Sequence, residues 1–184
     1  MIEEQWQRVG SQVLREYRVL ELREDTYRFR PSGAESGFVV CDSEDWVLVI
    51  PITPEGNVVF VRQFRHGLRQ VVLEIPGGVM ESGESPEQTA RRELQEETGF
   101  VPQDVQMFGP LMPNPALHTA HCHIAVATGC VRKHRPTPDP FECIETELHP
   151  LTDVQQFIQT GKLSHALCIA AFAVSGVHLP TPEA

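Results

Sequence analysis

The order of elements along this 184-residue chain predicts an α+β fold, an α/β/α sandwich in which a mixed β-sheet lies between helices. Three observations carry that reading. Short apolar runs rich in Val, Ile and Phe recur between residues 38 and 75 and read as strands. A single helix, punctuated at both ends, follows over residues 85 to 99. Further strand-like runs then lead into two helical segments near the C-terminus.

Residues 1 to 36 are polar and mixed and read as an N-terminal strand extension; residues 37 to 184 read as the main domain. In the extension, apolar–polar alternation over Val13 to Leu22 and Thr26 to Arg30 predicts a β-hairpin broken at Arg23-Glu24-Asp25. Phe38 to Cys41 and Trp46 to Ile52 are the next strands. Thr53-Pro54-Glu55-Gly56-Asn57 is a turn, and Val58 to Phe64 returns as the hairpin partner. Val71 to Ile75 runs straight into Pro76-Gly77-Gly78. Ser85 as cap, Pro86 at the first helical position and Gly99 as stop bound the first helix. Ala90 and Leu94, four apart, supply its buried stripe. Val105 to Gly109, Cys122 to Thr128 and Ile144 to Leu148 are further strands, and the basic, Pro-rich stretch Arg132 to Pro140 is a surface loop. Thr152 is expected to cap a helix that runs to Thr160 and stops at Gly161. A last helix covers His165 to Val174.

Composition narrows the function. The net charge of −10 and pI near 5.2 exclude non-specific binding to nucleic acid or to an anionic membrane surface. The longest apolar stretch, Ala166 to Val174, is too short to span a bilayer. The start Met1-Ile2-Glu3-Glu4 has neither a basic nor an apolar leader segment, so a cytoplasmic protein is expected. The five cysteines (Cys41, Cys122, Cys130, Cys143, Cys168) form no CxxC pair and read as reduced thiols. An acidic protein acting on a polyanion must neutralise it locally, which points to a metal ion and a few arginines.

Residues 78 to 100 hold the chemistry. Glu93 and Glu97 lie four apart on the helix, so their carboxylates share a face, with Glu96 beside them. Like charges at that spacing cost an isolated helix roughly 0.2–0.5 kcal/mol. A hard divalent cation, Mg²⁺ or Mn²⁺ rather than zinc, would hold such oxygen donors together. The glycines ahead of the helix permit close backbone approach, and Glu84 adds a fourth carboxylate at the helix N-terminus.

The pattern Gly78, Glu84, Arg92-Glu93-Leu94, Glu96-Glu97, Gly99-Phe100 resembles the Nudix box at each of its defining positions. The resemblance implies the Nudix fold and a metal-dependent hydrolase of nucleoside diphosphates linked to another moiety. The flanks narrow it. Val61-Arg62-Gln63-Phe64-Arg65-His66, Leu73-Glu74-Ile75-Pro76-Gly77-Gly78, Pro115, and Glu142-Cys143-Ile144-Glu145 are similar to segments of the ADP-ribose and nucleoside diphosphate sugar pyrophosphatases. That branch implies a homodimer in which the N-terminal strands contribute to the partner's site. The competing readings are a hydrolase of dinucleoside polyphosphates and a non-catalytic nucleotide-sensing Nudix-fold protein.

Under the resemblance, Glu93, Glu96, Glu97 and the Gly77 carbonyl are the candidate metal ligands. Glu96 is either a ligand or a holder of water, and Glu84 is either a ligand or the partner of Arg92, which orients the carboxylates. Glu142 and the box glutamates Glu96 and Glu97 are candidates for the base that takes a proton from water, with Glu142 alternatively an extra metal ligand. Arg65 and Arg69 are candidate phosphate contacts because a planar guanidinium matches phosphate oxygens. Glu74 reads as a partner of substrate or of an arginine, and Trp6 as a ring to stack on the nucleobase. His121 and His123, placed on one strand face, lack a third ligand nearby and are not read as a metal site.

Overall fold

The computed structural model describes residues 1–137, 139, 141–177 and 179. It contains two compact units. The first takes in Met1–Asp45 and Met112–His121. Strands β1 (Trp6–Glu16), β2 (Glu21–Phe29) and β3 (Ala34–Asp42) form an antiparallel meander in it, not the two-stranded hairpin the alternation suggested. The break expected at Arg23-Glu24-Asp25 lies inside β2. The chain turns instead at residues 17 to 20, where the Tyr17 amide donates to the Leu20 carbonyl at 2.9 Å. Asp25 is buried because its carboxylate accepts from the Ser11 hydroxyl (2.6 Å) and from Arg23 Nε (3.2 Å), with Arg8 nearby. Residues 112–121 join this unit through the Cys41 amide, which donates to the Leu117 carbonyl at 2.7 Å.

The second unit carries the mixed sheet. β4 (Trp46–Pro51) lies at its centre, parallel to β10 (Cys122–Thr128) and antiparallel to β7 (Gly77–Val79); β9 (Asp104–Leu111) pairs with the far side of β10. A second ladder runs β12 (Ile144–Pro150), β5 (Asn57–Arg65), β6 (Gln70–Glu74), all antiparallel. Two short strands, β8 (Phe100–Val101) and β11 (Val131–Arg132), pair beyond the first helix. Alternation along β4 sends Val47 and Val49 to one face and Leu48 and Ile50 to the other. Ala90 and Leu94 of helix α1 (Pro86–Thr98) cover the first face. Helices α2 (Val154–Thr160) and α3 (Ala166–Val174) cover the second with Val154, Phe157, Cys168, Ala171 and Phe172. The expected α/β/α sandwich is therefore present.

Boundaries differ in three places. Residues 77–79, expected as a loop, add a strand to β4, since the Leu48–Gly77 register continues the ladder. Thr152 does not cap α2; Leu151–Asp153 form a 3₁₀ turn, and Asp153 stands at the helix N-terminus without a side-chain cap. His121 and His123 do not share a strand face, because β10 begins at Cys122 and His121 pairs with Asp45. Pro138 and Pro140 of the expected basic loop lie outside the described residues, as do His178 and the final five positions.

Candidate active site

Helix α1 positions the box glutamates, and its boundaries follow from sequence. The Ser85 hydroxyl accepts from the Gln88 amide (3.3 Å) while Gln88 Oε1 accepts from the Ser85 amide (2.7 Å), a reciprocal cap. Gly99 ends the helix in the left-handed conformation, φ 75°. Between them, burial of Ala90 and Leu94 turns Glu93 and Glu97 toward the strand that follows Pro76.

The glycines of that strand are required by contact. A Cβ on Gly77 would overlap the Val47 carbonyl across the ladder, and one on Gly78 would overlap the Glu93 carboxylate. With no side chain there, the Gly77 amide donates to Glu97 Oε2 at 3.1 Å. The Val49 amide, donating to the Pro76 carbonyl at 2.8 Å, fixes the preceding turn on the sheet edge.

Arg92 organises the other end of the motif. Its Nε and Nη2 donate to the two oxygens of Glu84 at 2.8 and 2.9 Å, a bidentate pair. Nη2 also reaches the Val79 carbonyl (3.1 Å), while Nη1 reaches Glu93 (2.7 Å) and Glu96 (3.1 Å). Of the two alternatives for Glu84, the structure shows pairing with Arg92. The Thr89 hydroxyl (2.7 Å) and Glu81 amide (3.1 Å) complete the shell around Glu84. Thr89 was not singled out from sequence; its signal is a buried hydroxyl in the first turn of a helix beside an acidic residue.

These surroundings separate the glutamates electrostatically. The bonds from Arg92 hold the Glu84 carboxyl down to about 2. Glu97, 4% exposed, is pushed up to about 8 by burial, with the charges of Glu93 and Glu142 adding to the effect and the Gly77 amide opposing it. Burial likewise raises Glu93. Glu142 lies in the loop before β12, is exposed, and its carboxylate accepts from the Asp139 amide at 3.1 Å. It lies within electrostatic reach of Glu93 and Glu97 and raises both.

Arg65 and Glu74 form a second unit of the site. They come from adjacent antiparallel strands, and Nε and Nη2 of Arg65 donate to Glu74 at 2.9 and 2.5 Å. Glu74 is 1% exposed, whereas the Arg65 side chain is close to half exposed and lies within electrostatic reach of Glu97. Arg69 sits at the exposed tip of the β5–β6 hairpin with φ 56°, so it is the turn residue that takes the left-handed conformation. Trp6 belongs to the three-stranded unit. Its ring lies 4.8 Å from Phe29 and 6.0 Å from Phe38, and Trp6, Tyr27 and Phe38 line an exposed apolar depression there.

The chemistry of the donor set fits a hard divalent cation. Glu93, Glu96 and Glu97 offer carboxylate oxygens on one helix face, and the Arg65 charge and the Gly77 amide offset the burial of Glu97 only in part. In this structure the Arg92 guanidinium is the positive group nearest Glu93 and Glu96.

The chain matches the NUDIX domain over residues 44–172 and belongs to that family. It is 29% identical over 150 residues to a protein named ADP-ribose pyrophosphatase from Bacillus subtilis, spanning 81% of this chain and 80% of that one. It is 30% identical over 155 residues to the methanol dehydrogenase activator of Bacillus methanolicus, 84% of this chain and 83% of the other. Among solved structures, one titled as an ADP compounds hydrolase superposes with a TM-score of 0.83 at 19% identity, covering 94% of this chain and 92% of the other; at that identity it speaks to the fold.

Proposed function

We propose that this protein hydrolyses the pyrophosphate bond of ADP-ribose or a related nucleoside diphosphate sugar, such as GDP-mannose or a UDP-hexose, to give a nucleoside monophosphate and a sugar phosphate. The observation that carries this reading is the buried Glu97 carboxylate, which lies with Glu93 beside a glycine strand shaped to leave room for backbone and little else. The name borne by the Bacillus subtilis relative supports the substrate class. So does the Leu73-Glu74-Ile75-Pro76-Gly77-Gly78 segment that leads into the site.

Glu93, Glu96, Glu97 and the Gly77 carbonyl would hold Mg²⁺, with Mn²⁺ as a substitute. When bound, the metal neutralises pyrophosphate oxygens and lowers the pKa of the attacking water. The remaining work falls to side chains. Glu142, exposed and close enough to repel both box glutamates, takes the water's proton on a carboxylate oxygen. Arg65 spends Nε and Nη2 on Glu74, which leaves Nη1 to meet a phosphate oxygen and the charge that develops on it. Glu74 thus orients the arginine, and Arg69 at the hairpin tip adds a second cation for the diphosphate. Arg92 holds the box glutamates in position. Residues 1–36, as an extension to the domain of 37–184, serve a homodimer in which Trp6 stacks on the nucleobase. The compartment is the cytoplasm, where the five thiols stay reduced.

Wild-type protein and Glu97→Gln, each incubated with ADP-ribose and Mg²⁺, test the reading when products are resolved by ion-exchange chromatography. AMP and ribose 5-phosphate should appear with wild type and be strongly reduced with the variant. Equal activity in the two proteins, or none in either, removes the catalytic reading, and a panel of nucleotide sugars then ranks substrates.

A further inference from the structure

Glu74 has a second side. Its pair with Arg65 uses one lone pair on each oxygen, and an ionised carboxylate offers about four. Close by stand His165, at the N-terminus of α3, and Cys168, one turn into that helix. His165 Nδ1 and Cys168 Sγ are 3.1 Å apart, and ligand atoms from all three residues lie within 4.8 Å of one another. Among the described residues this is the one group of three His, Cys, Asp or Glu side chains gathered so closely. Glu74 and Cys168 are buried and His165 is half-buried, which leaves the imidazole as the way in. The hydrolysis proposed above has no use for either His165 or Cys168.

We propose that Glu74, His165 and Cys168 form a binding site for a thiophilic divalent cation of the zinc type, separate from the glutamates of the box. One oxygen, one nitrogen and one sulfur donor suit zinc and are ill suited to Mg²⁺. Tetrahedral coordination with a Zn–N bond near 2.0 Å and a Zn–S bond near 2.3 Å sets the N···S distance at about 3.5 Å. The observed separation therefore has to open by only about 0.4 Å. Three protein ligands leave the fourth position to water. Binding breaks the Cys168 S–H bond, forms a sulfur–metal bond and releases one proton to solvent. Burial and the Glu74 charge push the free Cys168 thiol up to about 12, so the bound cation itself has to drive the loss of the proton. Carboxylate and thiolate together balance the cation's two charges, so the hold of Glu74 on Arg65 weakens. Inhibition by zinc follows from that last step, which rests on reading Arg65 as the phosphate contact; the site itself does not.

The test titrates the full chain with Co²⁺, a spectroscopic stand-in for zinc, in excess Mg²⁺. Expected is one equivalent with a thiolate-to-cobalt charge-transfer band that zinc removes. Cys168→Ser should abolish the band, His165→Gln should weaken Co²⁺ binding at least tenfold, and Glu97→Gln should leave both unchanged. Absence of the band in wild type, its survival in Cys168→Ser, or its loss in Glu97→Gln overturns the proposal. Should Cys168→Ser fail to fold, unaltered Co²⁺ affinity in His165→Gln is equally decisive. Zinc should also inhibit wild-type hydrolysis and spare His165→Gln; a band without inhibition keeps the site and overturns its link to Arg65.

Discussion

The two ends of helix α1 carry glutamates of one motif in opposite electrostatic conditions. At the N-terminal end, Glu84 is held by a bidentate guanidinium, a hydroxyl and an amide, and stays ionised down to about 2. At the C-terminal end, Glu97 is buried with one amide bond and two repelling carboxylates, and its proton leaves only near 8. The protein completes the charge balance of the first end with its own residues. It leaves the second end short of positive charge, which the proposed divalent cation would supply. A structural ion pair and a carboxylate cluster thus meet at one arginine, whose Nε and Nη2 hold Glu84 and whose Nη1 reaches Glu93 and Glu96, while Glu97 accepts from the Gly77 amide.

Removing the charge at the metal-ready end should have the largest effect. Glu97→Gln keeps an oxygen for the Gly77 amide, so kcat should fall about 10²–10³-fold while the metal-free melting temperature holds or rises. A large loss of stability instead would show that Glu97 is structural. Next comes Arg92→Ala, which strips Glu84 of its counter-charge and should cost about 1.5–3 kcal/mol in urea unfolding. Arg92→Lys should recover only part of this, because an ammonium cannot reproduce the fork. An unchanged midpoint in Arg92→Ala would erase the contrast between the two ends.

The pH dependence of the metal-free melting temperature reads both ends at once. Glu84 has its pKa lowered by folding from 4.5 to about 2, so the stability it confers is present above 4.5 and is lost as pH falls toward 2. Glu97 has its pKa raised from 4.5 to about 8, so its contribution is present below 4.5 and is lost as pH rises through 8. Arg92→Ala should shrink the acid limb to what Asp25 and Glu147 still contribute, and either Mg²⁺ or Glu97→Gln should flatten the alkaline one. The smallest effect is expected at Arg91, whose exposed pair with Glu87 at 2.9 Å lies on the same helix; Arg91→Ala should stay within about 0.5 kcal/mol.

Much of this was legible in the residues because the cues were local. Ser85-Pro86 and Gly99 mark α1 by their backbone preferences, and the glycine strand is marked by residues that leave no side chain to clash. The Nudix assignment drawn from residues 78–100 agrees with the domain match over 44–172. What escaped was non-local. Arg23-Glu24-Asp25 resembles a turn by composition, yet Asp25 is buried in a strand because Ser11 and Arg8 on the neighbouring strand meet it. Thr89 could not be linked to Glu84 without knowing how the loop folds back onto the helix. The meeting of Glu74 with His165 and Cys168 depends on α3 packing across the sheet from residues distant in the chain.

One main-chain bond has a mechanical corollary. The Thr137 amide donates to the Glu96 carbonyl at 2.8 Å, and the Lys133 and His134 amides both donate to the Gly99 carbonyl. The chain on its way to Glu142 is therefore moored to the C-terminal tip of α1 at Lys133, His134 and Thr137. Thr137→Pro, which removes the donating amide, would cut one of these ties while leaving the residues of the helix unchanged.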